Sequence, residues 1–219
     1  LRQQHGIEII AWVSSVGTVD ARLPDLSEIS RAQVDATDVR CPVDEAARHM
    51  RQEILATRDA NDSVGGVVTC ICRHVPAGWG EPVFDKLEAK LAQAMLSIPA
   101  SKGFEVGSGF AGARMRGSQH NDPFLWKDGH LGTASNFSGG IQGGISNGET
   151  ILFRTAFKPA ATIGQTQVTA DFDGVETEFK ARGRHDPCIL PRAVPIVESM
   201  AALVLIDMAL RQAYREGIR

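Results

Sequence analysis

Arg184, His185, Asp186 and Arg192 fall within the ten residues GRHDPCILPR, between Gly183 and Arg192. Guanidinium forks match the paired oxygens of phosphate and carboxylate, and a neighbouring histidine and aspartate can accept and donate protons. Gly183, Pro187 and Pro191 break a continuous helix, so a turn is expected to hold these groups at one mouth, and Lys180 and Arg182 extend the basic run upstream. The chemistry this stretch suggests is recognition of an anion. The competing reading is a solvated turn with surface charges.

Two further stretches have a composition suited to anions or planar ligands. SGGIQGGISNGE, residues 138–149, is dense enough in glycine for backbone amides to approach a ligand closely. It lacks GK[ST] and does not follow the GxGxxG spacing, so it is no nucleotide fingerprint, and an ordinary glycine-rich hairpin remains the alternative. KPAAT, Lys158 to Thr162, combines a cation, a proline of fixed φ and a hydroxyl. By itself it reads as a surface turn.

His120 and His130 also lie near polar clusters, whereas His5, His49 and His74 do not. Their spacing gives no metal triad, and no GxSxG elbow points to a hydrolase. Asp207 sits on an apolar helix and is read as structural rather than catalytic. Cys41, Cys70, Cys72 and Cys188 lack CxxC spacing and are expected as reduced thiols, with Cys70 and Cys72 on one face of a strand.

The elements that would position these groups follow from periodicity. Strands are expected at Ile7 to Val16, Gly66 to Val75, Lys102 to Phe110, Thr150 to Phe157 and Gln165 to Ala181, the last split by Asp173–Gly174 into a hairpin. Helical spacing marks a helix opening at Pro42, another over 82–98 with Val83 on its apolar face, and a closing helix from Pro195 to about Arg215. Residues 20–40 and 111–144 lack a period and read as loops, the second long enough to suggest a covering over a ligand.

At 219 residues, 43% hydrophobic and 22% charged, the chain can bury a full core, and a single domain over 1–219 is expected. A net charge of −3 argues against a nucleic-acid or membrane-surface partner, since no broad positive field is available. No apolar run reads as membrane-spanning. Leu1 opens the sequence with neither an initiator methionine nor a signal-peptide layout, so the chain reads as beginning partway into a larger protein.

Taken in order, NDSVGGVV (61–68), SIPASKGFEVGSGF (97–110), SGGIQGGISNG (138–148), FKPAATI (157–163) and GRHDPCILPRAVPIVESM (183–200) resemble chorismate synthase. The resemblance implies an α+β fold, a β-α-β sandwich of antiparallel sheets and helices, here truncated at the N-terminus. It also implies a cytoplasmic homotetramer and a carbon-oxygen lyase of the shikimate pathway. That enzyme eliminates phosphate from 5-enolpyruvylshikimate 3-phosphate by an anti-1,4 route to give chorismate. It requires reduced FMN without consuming it, and NADPH enters only where the protein has its own flavin reductase activity.

Carried over by position, the resemblance places flavin contacts at Pro99, Ala100, Gly143, Lys158, Pro159, Ala160, Ala161, Thr162 and Arg184. Arg184 also lies by the substrate, Asp186 is a catalytic proton acceptor, and His185 stands behind them. These loops are expected to converge on one pocket. The early histidine motif, the central histidine, and the arginine and serine residues that the family uses for phosphate and FMN have no counterpart here, so this chain alone is expected to be inactive or nearly so. The alternatives are a non-catalytic assembly or interaction fragment and a flavin-dependent oxidoreductase, the latter disfavoured because no NAD(P) fingerprint is present.

Overall fold

The computed structural model describes residues 1–21, 26, 28–127 and 129–217. The chain begins with a single helical turn, α1 (Arg2–His5), and the strands β1 (Glu8–Val16) and β2 (Val19–Asp20). A short helix α2 (Arg31–Asp35) and a longer α3 (Asp44–Asp59) lead into β3 (Gly66–Arg73), α4 (Leu87–Leu96) and β4 (Ser101–Val106). Next come two helical turns, α5 (Gly109–Gly112) and α6 (Gly117–His120), and two small hairpins, β5 (Phe124–Lys127) with β6 (His130–Thr133) and β7 (Ile141–Gln142) with β8 (Ile145–Ser146). β9 (Ile151–Phe157), the hairpin β10 (Thr166–Ala170) with β11 (Glu176–Lys180), and the long helix α7 (Leu190–Gly217) complete the order.

Five strands form one antiparallel sheet in the order β2-β1-β3-β9-β4. Strand alternation divides its faces. Ala11, Val13, Val68, Cys70, Cys72, Ile151 and Phe153 point toward α3, α4 and α7 and make the main core with Met50, Leu87, Leu91, Val194, Val197, Ala201 and Leu205. Ile10, Trp12 and Ile71 point the other way, where Ile29 and Val34 of the α2 region cover them. A carboxylate joins the layers: Glu198 of α7 accepts the backbone N–H of Ala11 at 2.6 Å and pairs with Arg31.

The α+β class with antiparallel sheets and helices is therefore present as one sheet layer and one helix layer. The outward stripe of α7 (Ile196, Leu203, Leu210 and Tyr214) is exposed, and the described residues place no second sheet over it.

Several sequence expectations are corrected. Residues 20–40 are not simply loop: Ser30 caps α2 by accepting from the Gln33 N–H, while the Gln33 side chain accepts from the Ser30 N–H. Part of that segment lies outside the described residues. Val83 is not on a helix face; it is exposed at φ 66°, and α4 starts only at Leu87.

The closing helix begins at Leu190, not Pro195. Pro191 lies in its first turn, where an N–H has no intrahelical partner anyway, and Pro195 is accommodated close behind it. As a helix of 28 residues with a mean hydropathy of 1.9 over its most apolar window, α7 is long and apolar enough to span a membrane, contrary to the reading of the shorter segment. Its Leu190, Val194, Val197, Ala201 and Leu205 are instead buried against the sheet and α4.

Residues 111–144 are folded despite their lack of period. The Asp122 carboxylate accepts from the N–H groups of Phe137 and Ser138, each at 2.8 Å, and from the Ser135 hydroxyl at 2.7 Å. One buried carboxylate thereby ties the β5–β6 hairpin to the start of the glycine cluster.

Candidate functional site

At the end of the sheet where β9 leaves at Phe157 and β3 enters at Gly66, four loops are laced together by hydrogen bonds. Lys158 N–H donates to Ala100 C=O at 2.9 Å. Ser63 Oγ donates to Ala160 C=O at 2.6 Å, and Val64 N–H donates to Pro187 C=O at 2.8 Å. Gly164 N–H closes back onto Asn61 C=O at 3.0 Å. The Asn61–Gly65 turn is thus the hub that holds the KPAAT loop and the turn carrying Arg184, His185 and Asp186. At Gly65 the approach is so close that a Cβ would stand 2.4 Å from Phe157 C=O.

Pro99 and Ala100 reach the cluster because α4 ends just before them. Ala100 has φ 66°, a left-handed conformation uncommon for a residue with a Cβ. Lys158, Pro159, Ala161, Thr162 and Arg184 are exposed, Ala160 is half-buried, and neither Lys158 nor Arg184 has an ion-pair partner among the described residues. Asp186 is paired through Oδ2 with Arg192 Nη1 at 2.7 Å. His185 Nε2 is buried without a hydrogen-bond partner among the described residues.

Gly143 does not join this cluster. It lies in the β7–β8 turn, whose Gly144 C=O accepts from Leu87 N–H at the start of α4 and whose Ser146 Oγ donates to Pro76 C=O. That is the Ile151 end of β9, so the length of β9, roughly 20 Å, separates it from Lys158. The glycine cluster itself packs backbone against backbone: a Cβ on Gly139 would be 2.5 Å from the Gly107 nitrogen. Convergence of all the expected loops is therefore not seen among the described residues, and the cluster that does form leaves Lys158, Thr162 and Arg184 exposed.

Of the histidines singled out by composition, His120 bonds Ser108 Oγ through Nε2 at 2.7 Å and packs on Phe137. Among the described residues no carboxylate orients its ring, and the bond pins α6 to the turn after β4. The His130 side chain is outside the described residues. Asp207 pairs with Arg211 one turn on, at 2.9 Å, as a structural reading expects. Sequence reasoning took Asn61–Gly65 as part of a resemblance block and so did not single out Ser63 and Val64. The NDSVGGVV block was the available signal.

A laced set of loops exposing a hydroxyl and two cations without ion-pair partners among the described residues suits an anionic ligand. A sequence model of the family "Chorismate synthase" matches residues 1–210. The chain belongs to the chorismate synthase family. The chorismate synthase of Opitutus terrae is 58% identical over 218 residues, 99% of this chain and 60% of that protein. The chorismate synthase of Methylacidiphilum infernorum is 58% identical over 206 residues, covering 94% of this chain and 56% of that protein. A crystal structure of chorismate synthase aligns with TM-score 0.79 and 30% identity over 96% of this chain and 59% of that one. This chain thus spans about 60% of the length of the chorismate synthases it matches.

Proposed function

We propose that this chain supplies part of the flavin and substrate site of a chorismate synthase, a carbon-oxygen lyase converting 5-enolpyruvylshikimate 3-phosphate to chorismate and phosphate. The observation that carries this reading is the laced cluster. The positions expected from the family at Pro99–Ala100, Lys158–Thr162 and Arg184–Asp186 come from separate elements and meet at one end of the sheet.

The donor set fits FMN. The Thr162 hydroxyl and the Lys158 ammonium suit its phosphate, the Arg184 guanidinium suits the negative charge of the reduced flavin and of the substrate beside it, and the small Ala160–Ala161 segment leaves room beside a flat ring. When bound, reduced FMN supplies transient electron density for breaking the allylic carbon–oxygen bond. The chain's own residues do the rest. Arg184 stabilises negative charge on the departing phosphate, Asp186 takes the proton lost from C6 of the substrate, and Arg192 holds the Asp186 carboxylate in place. Gly143, held at the far end of β9, would reach a flavin only from another copy of the chain. That accords with the self-association, as a homotetramer, that the family implies.

Titration of the protein with FMN under reducing conditions tests this reading. Saturable binding, weakened about tenfold by Arg184→Ala and by Lys158→Ala, is expected from the loss of one charge-assisted contact each. An absence of saturable binding, or affinities unmoved by both substitutions, overturns it in favour of a non-catalytic assembly fragment.

A further inference from the structure

The hairpin of β10 and β11 stands apart from the five-stranded sheet: among the described residues each strand pairs only with the other, and every residue of both is exposed. Phe172 at the tip is fully exposed, and Val168, Val175 and Phe179 are each more than half exposed. An isolated two-stranded hairpin is marginal in water, and its free edges present unpaired N–H and C=O groups ready to take another strand.

The sequence along the outer edge of β11 is complementary to itself. Residues 176–182 read Glu-Thr-Glu-Phe-Lys-Ala-Arg, with two acids before Phe179 and two bases after it at mirrored positions. Ala181 and Arg182 continue past the strand without helix or turn. Laid antiparallel on a second copy about a twofold axis at Phe179, Glu178 faces Lys180, Glu176 faces Arg182, and Phe179 faces Phe179. Residues directly opposite in an antiparallel pair share a face, so the opposite charges meet on one side of the ribbon and the phenyl rings on the other. Sliding by one residue in each strand sets Glu178 against Glu178 or Lys180 against Lys180, so the charges select one register. A twofold contact of this kind is closed and does not propagate.

We infer that β11 is a self-association edge, on which a second copy of this chain adds its own β11 antiparallel about Phe179 to make a four-stranded sheet. The inference rests on the self-association proposed above and names its surface. It also holds the chain just upstream of Arg184 in both copies.

Charge reversal tests it by sedimentation velocity, with far-ultraviolet circular dichroism to check that each variant is folded. The unsubstituted chain is expected as a dimer or larger. Glu176→Lys/Glu178→Lys and, separately, Lys180→Glu/Arg182→Glu should each weaken assembly by about tenfold or more, because every facing pair then repels. Mixing the two variants should restore assembly, since one copy is then wholly basic and the other wholly acidic. A monomeric unsubstituted chain overturns both the edge and self-association. An assembled chain indifferent to both reversals, or variants that fail to recombine on mixing, overturns the edge alone. The flavin titration is read separately, from the Lys158→Ala and Arg184→Ala substitutions, which leave β11 unchanged.

Discussion

The Lys158 N–H donates to the Ala100 carbonyl at 2.9 Å, and Ala100 presents that carbonyl from a left-handed backbone at φ 66°. The strain and the contact belong together: the turn after α4 must reverse sharply to offer its oxygen to the loop that follows β9. A side chain branched at Cβ is penalised at such a φ, whereas glycine is not. Ala100→Val is therefore expected to lower stability by about 1–2 kcal/mol, and Ala100→Gly to leave it equal or slightly higher. Thermal denaturation of the three proteins checks this, and an Ala100→Val chain as stable as the parent would contradict it.

Asp122 gives a pH dependence. Its burial raises the carboxyl's pKa, but hydrogen bonds from the Ser138 and Phe137 N–H groups and the Ser135 hydroxyl outweigh that and hold it below the ordinary aspartate value. A group whose pKa falls on folding adds stability above its unfolded pKa, near 4, and loses it as pH drops through the folded value. Asp122→Asn keeps the shape but replaces an acceptor oxygen by a donor. It is expected to cost roughly 2 kcal/mol at pH 7. The gap to the parent should shrink as denaturant titrations are repeated below pH ~4. A difference constant across that range would show that the carboxylate charge contributes nothing.

The same aspartate marks where the sequence stops being legible. Ile7–Val16, Gly66–Val75 and Thr150–Phe157 are readable as strands because their β-branched and apolar runs are bounded by turn residues, and α3 because its apolar positions recur at helical steps. Residues 111–144 carry no period, because their order comes from one carboxylate bonding amides some fifteen residues away. The site divides in the same way. Residue types in KPAAT and GRHD announce an interest in anions, but only strand register shows that Lys158 and Ala100 meet while Gly143 lies at the opposite end of β9. The early start of α7 escaped because a proline at the second helical position reads, in sequence, like a proline that ends a helix.

Gly112 makes room for the bond between Ser108 and His120. A Cβ there would stand 2.4 Å from Ser108 Oγ and 2.8 Å from His120 Nε2. Gly112→Ala should break that bond and release α6 from the turn after β4, at about 1–2 kcal/mol. Gly117→Ala is the control: nothing lies within 4 Å of its added methyl, so no loss is expected. Chemical denaturation of both variants decides it, and equal stabilities would remove the packing role assigned to Gly112.

The Asp186–Arg192 pair allows chemistry and stability to be separated. Arg192 keeps 67% of its side chain exposed and Asp186 keeps 33%, so breaking the pair should cost under ~1 kcal/mol. Asp186→Asn also removes no positive charge from the cluster, so reduced-FMN affinity should stay within about twofold of the parent. In a longer chorismate synthase that completes the site, if Asp186 takes the substrate proton, turnover of 5-enolpyruvylshikimate 3-phosphate should nonetheless fall by about a hundredfold or more, the usual loss when a general base is removed. Arg192→Ala, which frees the carboxylate without altering it, should retain more of the rate than Asp186→Asn. Parent-like turnover in an Asp186→Asn protein that folds and binds flavin would strip Asp186 of its role as proton acceptor and leave it as one half of a surface ion pair.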